Sequence, residues 1–189
     1  MEKTLKQTET SCIKIVLFGP ESTGKTTLAN RLAEHYDTVF VPEYSREYAE
    51  QKLLNGEELT KEDVLPIALG QMRLENLLAK KANKVLICDT NILETLVYAK
   101  YLYNNYTPEV LKKYAKLNQY HLYLLTNIDV PFEEDPVRGD GADRKEAFNY
   151  FKSVLEERSL PFIILTGNEE KRVKEAIAAI NEKIDEVYR

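Results

Sequence analysis

The chain has 189 residues, 43% apolar and 30% charged, a length and balance that suit one soluble globular domain over 1–189. Its 26 Lys and Arg against 31 Asp and Glu give a net charge of −5, which argues against a broad grip on nucleic acid. Cys12 and Cys88 lack zinc or disulfide spacing, the start MEKTLKQTETS is too polar for a secretory signal, and no apolar run approaches the ~18 residues of a membrane span. The expectation is a cytoplasmic protein with no membrane partner, and Cys88, inside an apolar run, reads as a small buried hydrophobe.

Strands and helices alternate along the chain. Residues 13–18 (IKIVLF) read as a buried strand and Lys25 to about His35 as a helix. Residues 38–42 read as a second strand stopped by Pro42, which has no N–H for a ladder. Ser45–Leu54 reads as a helix ending near Asn55-Gly56. Thr60 opens a T-x-x-D variant of the capping box, and Pro66 predicts a break or a late helix start in the stretch that runs on to about Asn83. Residues 85–89 (VLICD) are a third strand and 92–103 a helix, and Thr107-Pro108 reads as a cap with proline in the first helical position. Strands over 120–125 and 162–165, a helix from Arg144 to about Arg158 and a charged helix from Glu169 complete the set. Five short apolar strands alternating with helices predict a parallel sheet covered on both faces. The polar stretch 126–142 is long for a plain connection and reads as a lid, a binding loop or a disordered segment.

Gly19-Pro20-Glu21-Ser22-Thr23-Gly24-Lys25-Thr26 fits GxxxxGK[ST] at every fixed position, after a strand and at the start of a helix, with Thr27 following. In such a loop, backbone N–H groups and the helix N-terminus meet an anion. Lys25 would reach the β- and γ-phosphates of a nucleoside triphosphate, and Thr26 would bind Mg²⁺. Asp89, ending the third strand, is placed to hold that Mg²⁺ through water. Asp129, in TNID, lies where guanine-reading proteins carry NKxD, but Ile128 stands in the lysine position and no DxxG follows strand three, so a GTPase is not expected. Glu43, Arg46 and Glu47 follow the second strand, at the sheet edge beside the phosphate loop.

Together, GPESTGKTTLANRLA, VPEYSREY, ALGQ (68–71), ICDTN (87–91) and DRKEAF (143–148) resemble the ribosylnicotinamide kinase domain of the bifunctional NadR proteins, an AAA-like phosphate-loop kinase, from about Ile13 to Leu165. The resemblance implies an α/β three-layer sandwich with a five-stranded parallel sheet, similar to nucleoside and nucleotide kinases, and ATP- and Mg²⁺-dependent phosphorylation of the 5′-hydroxyl of nicotinamide riboside, a small-molecule substrate. It implies that Glu43 orients or deprotonates that hydroxyl and that Arg46 holds phosphate or substrate. Lys25 would stabilise the phosphoryl group, and Arg138 and Arg144 would serve as lid arginines. Asp89 and Gln71 fall at the acceptor side, where Gln71 reads either as a donor to a base or carboxamide edge or as a surface residue.

The family stacks the nicotinamide ring between aromatics at positions that are Pro42 and Leu77 here, which leaves the acceptor open. Tyr44, Tyr48, Tyr98 and Tyr101 are the substitutes, Tyr44 first because it adjoins Glu43. The family's separate adenylyltransferase motif is not found in this sequence, whose histidines are His35 and His121 alone, so the dinucleotide itself is not an expected product. The same chemistry on another nucleoside, and a non-catalytic NTP-binding regulatory module, are the alternatives. The sequence carries no signal for an oligomeric state.

Overall fold

The computed structural model describes residues 5–131 and 144–189. The first strand, β1 (Ile13–Phe18), is buried along its whole length, as a central parallel strand must be when helices cover both faces. It is followed by α1 (Lys25–His35), β2 (Phe40–Val41), α2 (Tyr44–Leu54), a 3₁₀ turn (Lys61–Asp63) and α3 (Val64–Leu78). Then come β3 (Val85–Asp89), α4 (Ile92–Leu102), α5 (Glu109–Leu117), β4 (Leu122–Thr126), α6 (Arg144–Glu157), β5 (Phe162–Leu165) and α7 (Glu169–Tyr188). The five strands lie in the order β2-β3-β1-β4-β5, every pair parallel. Among the described residues no helix is long and apolar enough to cross a membrane.

Strand alternation sorts the core into two faces. Ile13, Ile15, Leu17, Ile87, Leu122 and Leu124 pack with Leu28 and Leu32 of α1 and Ala176 and Ile180 of α7. Val16, Phe18, Cys88, Tyr123 and Leu125 pack on the other face with Leu93, Val97, Phe151 and Leu155. Cys88 is fully buried, as its apolar neighbourhood predicts. A third apolar cluster joins α3, α4 and α5 through Val64, Met72, Ile92, Leu96 and Leu111.

Several boundaries differ from the sequence reading, and three of the differences have a local reason. The second strand is only Phe40–Val41, because the Thr38 hydroxyl, rather than a ladder, bonds the carbonyl of Val85 at 2.7 Å. The fourth starts at Leu122, since the Nδ1 of His121 accepts the Lys14 amide where a strand carbonyl would. At Thr107-Pro108 the proline takes the cap position with ψ 125°, so α5 begins one residue later, at Glu109. The capping box at Thr60 forms with Asp63, and Pro66 sits in the first turn of α3, where its missing N–H costs nothing.

Candidate active site

The phosphate loop connects β1 to α1 at the carboxyl edge of the sheet. Ser22 (φ +53°) and Gly24 (φ +81°) are left-handed, the alternating backbone that forms an anion-binding nest. Gly19 (φ +138°) is required by a close approach: a Cβ there would sit 2.9 Å from the Thr126 hydroxyl and 3.0 Å from its carbonyl. Side chains of the loop itself and of other elements grip its carbonyls. Thr23 Oγ1 donates to the Pro20 carbonyl at 2.8 Å and meets Thr126 Oγ1 at 2.7 Å. Arg144 donates to the Ser22 carbonyl at 3.1 Å and the Val130 carbonyl at 3.2 Å. Arg172, buried on α7, donates to the Thr23 carbonyl at 2.6 Å, the Asn127 carbonyl at 2.9 Å and the Asp129 carboxylate.

Asp129 is thereby engaged in structure rather than in base reading. Burial raises its pKa, but the Gly167 amide and Arg172 outweigh that and hold it below the ordinary carboxylate range.

Lys25 opens α1 and is buried. Its ammonium donates to the carbonyls of Gly19 at 2.7 Å and Pro20 at 2.9 Å. It also lies 3.4 Å from Oε1 of Glu94, a residue 2% exposed on α4. Burial pushes the Glu94 carboxyl up to about 7, opposed by Lys25 and reinforced by the negative charges of Glu43 and Asp89. Beside the lysine, Thr26 Oγ1 donates to Asp89 Oδ2 at 2.6 Å. A hydroxyl and a carboxylate in contact next to a phosphate nest are hard oxygen donors of the kind Mg²⁺ takes. No denser cluster of ligating side chains exists among the described residues, and Mg²⁺ keeps several waters and needs few protein ligands.

A cavity of about 150 Å³ runs from Lys25 and Glu21 past Glu43 and Arg46 to Gln71, Glu94 and Tyr98. Glu43 caps α2 with extended backbone, and its carboxylate accepts the Ser45 hydroxyl at 2.7 Å. Arg46 pairs with Glu50 one turn on, at 3.6 Å. Gln71 is not a surface residue: it is buried on α3, lines the cavity and clamps the chain around Glu43. Its Oε1 accepts the Tyr44 amide at 2.9 Å, and its Nε2 donates to the Pro42 carbonyl at 3.2 Å.

Tyr44 is not a cavity residue, contrary to the sequence reading. Its ring lies over Gly70, where an added Cβ would come within 1.9 Å of Cε1. Tyr48 donates to Asp63 at 2.9 Å, and Tyr101 stacks on Tyr150. Of the four tyrosines singled out in the sequence, Tyr98 is the one that lines the cavity; Tyr103 lines it too. Pro42 and Leu77 are exposed and do not line it.

The structure thus brings Lys25, Thr26, Asp89, Glu43, Arg46, Gln71 and Arg144 around one loop and one cavity. Arg138 and most of the 126–142 stretch lie outside the described residues. Glu94 and Arg172 escaped the sequence reading. The trace of Glu94 was a lone carboxylate inside the apolar run NILETLVYA; Arg172 looked like one more charge on an amphipathic helix.

Comparison with known proteins accords with this geometry. A family model described as an AAA domain matches residues 14–172. The chain is 32% identical over 155 residues to the trifunctional NAD biosynthesis/regulator protein NadR of Escherichia coli (strain K12), a match spanning 79% of this chain and 37% of that protein. Crystal structures of NadR protein in complex with NR and with NAD and AMP-PNP superpose with TM-scores of 0.72 and 0.74 at 27% and 28% identity. They match 91% of this chain and 50% and 49% of theirs, so the chain spans half or less of the length of these relatives. A thymidylate kinase from Ehrlichia chaffeensis shares the fold at TM-score 0.63 and 16% identity, over 89% of this chain and 98% of its own.

Proposed function

We propose, from the premise that the chain belongs to the AAA-domain family matched over residues 14–172, that it is an ATP-dependent kinase phosphorylating the 5′-hydroxyl of nicotinamide riboside. On this reading residues 1–189 act as a single phosphate-loop kinase domain on a small-molecule nucleoside, with no nucleic-acid or membrane partner. The observation that carries it is the single cavity shared by the phosphate-loop lysine, Lys25, and the carboxylate Glu43.

Phosphoryl transfer is mostly positioning and electrostatics. The nest and Lys25 would hold the β- and γ-phosphates in line with the acceptor, while Glu43 orients the hydroxyl and takes its proton as the oxygen bonds to phosphorus and ADP leaves. Thr26 and Asp89 are suited to hold Mg²⁺, which supplies charge neutralisation on the phosphates when bound. Arg46, at the cavity wall, faces the acceptor or the transferring group, and Arg144 tightens the loop from α6. In NadR, the solved complexes carry NR, NAD and AMP-PNP, which supports a nucleoside acceptor and an adenine nucleotide donor here.

ATP consumption measured with a panel of nucleosides tests the reading. Strong stimulation by nicotinamide riboside, with the monophosphate as product, is the expected result. Turnover that ignores every acceptor removes the kinase assignment in favour of a regulatory module. A second reading keeps the chemistry and changes the nucleoside: it is favoured by Pro42 and Leu77, which put no aromatic ring at the family's two stacking positions. Faster phosphorylation of an uncharged nucleoside would select it.

A further inference from the structure

We infer that Glu94 is the resting partner of Lys25 and that nucleotide binding is linked to a proton at this carboxylate: when a nucleoside triphosphate fills the phosphate loop, Lys25 turns to its phosphates and Glu94 takes up a proton from solvent. The inference rests on the nucleotide half of the proposed function and is independent of the acceptor.

Three observations carry it. Lys25 and Glu94 are 3.4 Å apart with side chains 5% and 2% exposed, so this is a buried ion pair at the triphosphate site. Glu94 Oε2 has no hydrogen-bond partner among the described residues, although it is buried. A buried carboxylate without a second partner keeps its charge through its cation alone. The turn that delivers Glu94 is specific: Thr90 is left-handed (φ +86°), and the Asn91 side chain caps α4 by accepting the amides of Leu93 and Glu94 at 3.1 Å each.

The charge around Glu94 makes the linkage one-directional. From α1 it faces Lys25; Glu43 and Arg46 at the start of α2, Asp89 at the end of β3 and Glu21 of the phosphate loop belong to the same neighbourhood. α3 contributes Val64, Ile67 and Gln71 to the cavity, none titratable, and Tyr98 and Tyr103 come from the Glu94 side of the chain. Once Lys25 is shared with phosphate oxygens, Glu94 is left among Glu43, Asp89, Glu21 and the nucleotide's own charge. Like charges and burial both favour the neutral acid. Its resting value of about 7 places the change in the neutral range. No covalent bond changes: a solvent proton joins the carboxylate, and the ammonium exchanges one anionic partner for another.

Calorimetric titration of the full chain with Mg·AMP-PNP, without acceptor, in two pH 7.5 buffers of different ionisation enthalpy reads the proton directly. The expected result is roughly 0.5–0.8 proton taken up per nucleotide, with affinity falling about tenfold from pH 6.5 to 8.5. Glu94→Gln, the same size and uncharged, should bind with no proton uptake and little pH dependence, its fold checked by circular dichroism. Wild-type binding without uptake overturns the inference while leaving the nucleotide site standing, and this arm needs no variant. Uptake that persists in Glu94→Gln belongs to another group and also overturns it. Absence of nucleotide binding overturns the donor site and this inference together.

Discussion

The phosphate-loop wall and the acceptor wall meet in one cavity but are held by different contacts. The donor wall is one continuous segment, Gly19 to Thr26, whose shape comes from its own glycines and whose carbonyls are gripped by Thr23, Lys25, Arg144 and Arg172. The acceptor wall is a convergence of α2, α3 and α4, in which Glu43 is fixed by its Ser45 contact and by the Gln71 clamp on its flanking residues. Backbone built for an anion accepts any triphosphate. On the proposed function, substrate choice would fall to the wall of side chains from three helices, where small changes of packing are felt.

The sharpest way to break this pairing is at the carboxylate. Glu43→Gln preserves size and the oxygen that accepts from Ser45, but removes the proton acceptor. A kcat loss of about 10²–10⁴-fold with KM for both substrates little changed is expected for a group acting in the transition state. Steady-state kinetics check it, and an unchanged kcat would leave Glu43 as a helix cap only.

On the opposite wall, Lys25→Ala should lower kcat by about 10²–10³-fold, the scale for losing one charged donor at a transferring group. It also strands Glu94 without the cation that opposes its burial, so the folded-state pKa of that carboxyl moves further above the unfolded value. A raised carboxyl binds more protons folded than unfolded, so stability is lost as pH rises. The variant's melting temperature should therefore fall short of wild type by more at pH 8.5 than at pH 6, which thermal melts at the two pH values read.

The two walls were unequally legible in the sequence for the same physical reason. The phosphate loop is a local motif, β1 and β3 are unbroken apolar runs, and Glu43 sits one residue beyond Pro42, the breaker that stops its strand. Gln71 acts on a backbone amide 27 residues away and Arg172 on a carbonyl 149 residues away; no periodicity or spacing encodes such partners. The tyrosines failed as a guide because adjacency to Glu43 says nothing about which way a helix turns its ring. Tyr44, next to the carboxylate in sequence, faces Gly70, and Tyr98, on another helix, lines the cavity.

That ring over Gly70 gives a gentler perturbation of the acceptor wall. An alanine inside a helix is ordinarily better than glycine by ~1 kcal/mol, yet here the methyl would fall within 1.9 Å of the Tyr44 ring. Overpacking of this kind costs about 1–3 kcal/mol, so Gly70→Ala should destabilise the chain despite the helix propensity. Because Tyr44 is bound to Gln71 and adjoins Glu43, kcat should drop several-fold while nucleotide affinity holds. Denaturant melts paired with nucleotide titration measure the two effects, and a stabilised, fully active variant would contradict the packing.

The smallest expected effect decides between the acceptors. Nicotinamide riboside carries a cationic pyridinium, and a cation over an aromatic face gains about 0.5–2 kcal/mol depending on desolvation. Tyr98 is half-buried, edge-on to Phe151 with ring centroids 5.3 Å apart, and lines the cavity, so it can offer a ring to the acceptor without new strain. Tyr98→Leu keeps apolar bulk and removes the π face, and should raise KM for nicotinamide riboside by roughly 3- to 30-fold, the range those energies convert to. An uncharged nucleoside, which has no cation to lose, should be affected less, and ATP hardly at all. Tyr44→Leu is the control: its ring packs on Gly70 outside the cavity, so it should lower the melting temperature and leave the riboside KM within about twofold, since the energy at stake in the cavity is that of a different ring. If Tyr44→Leu weakens the riboside and Tyr98→Leu does not, the cationic ring is read from α2 and the assignment of the acceptor wall to α4 is wrong.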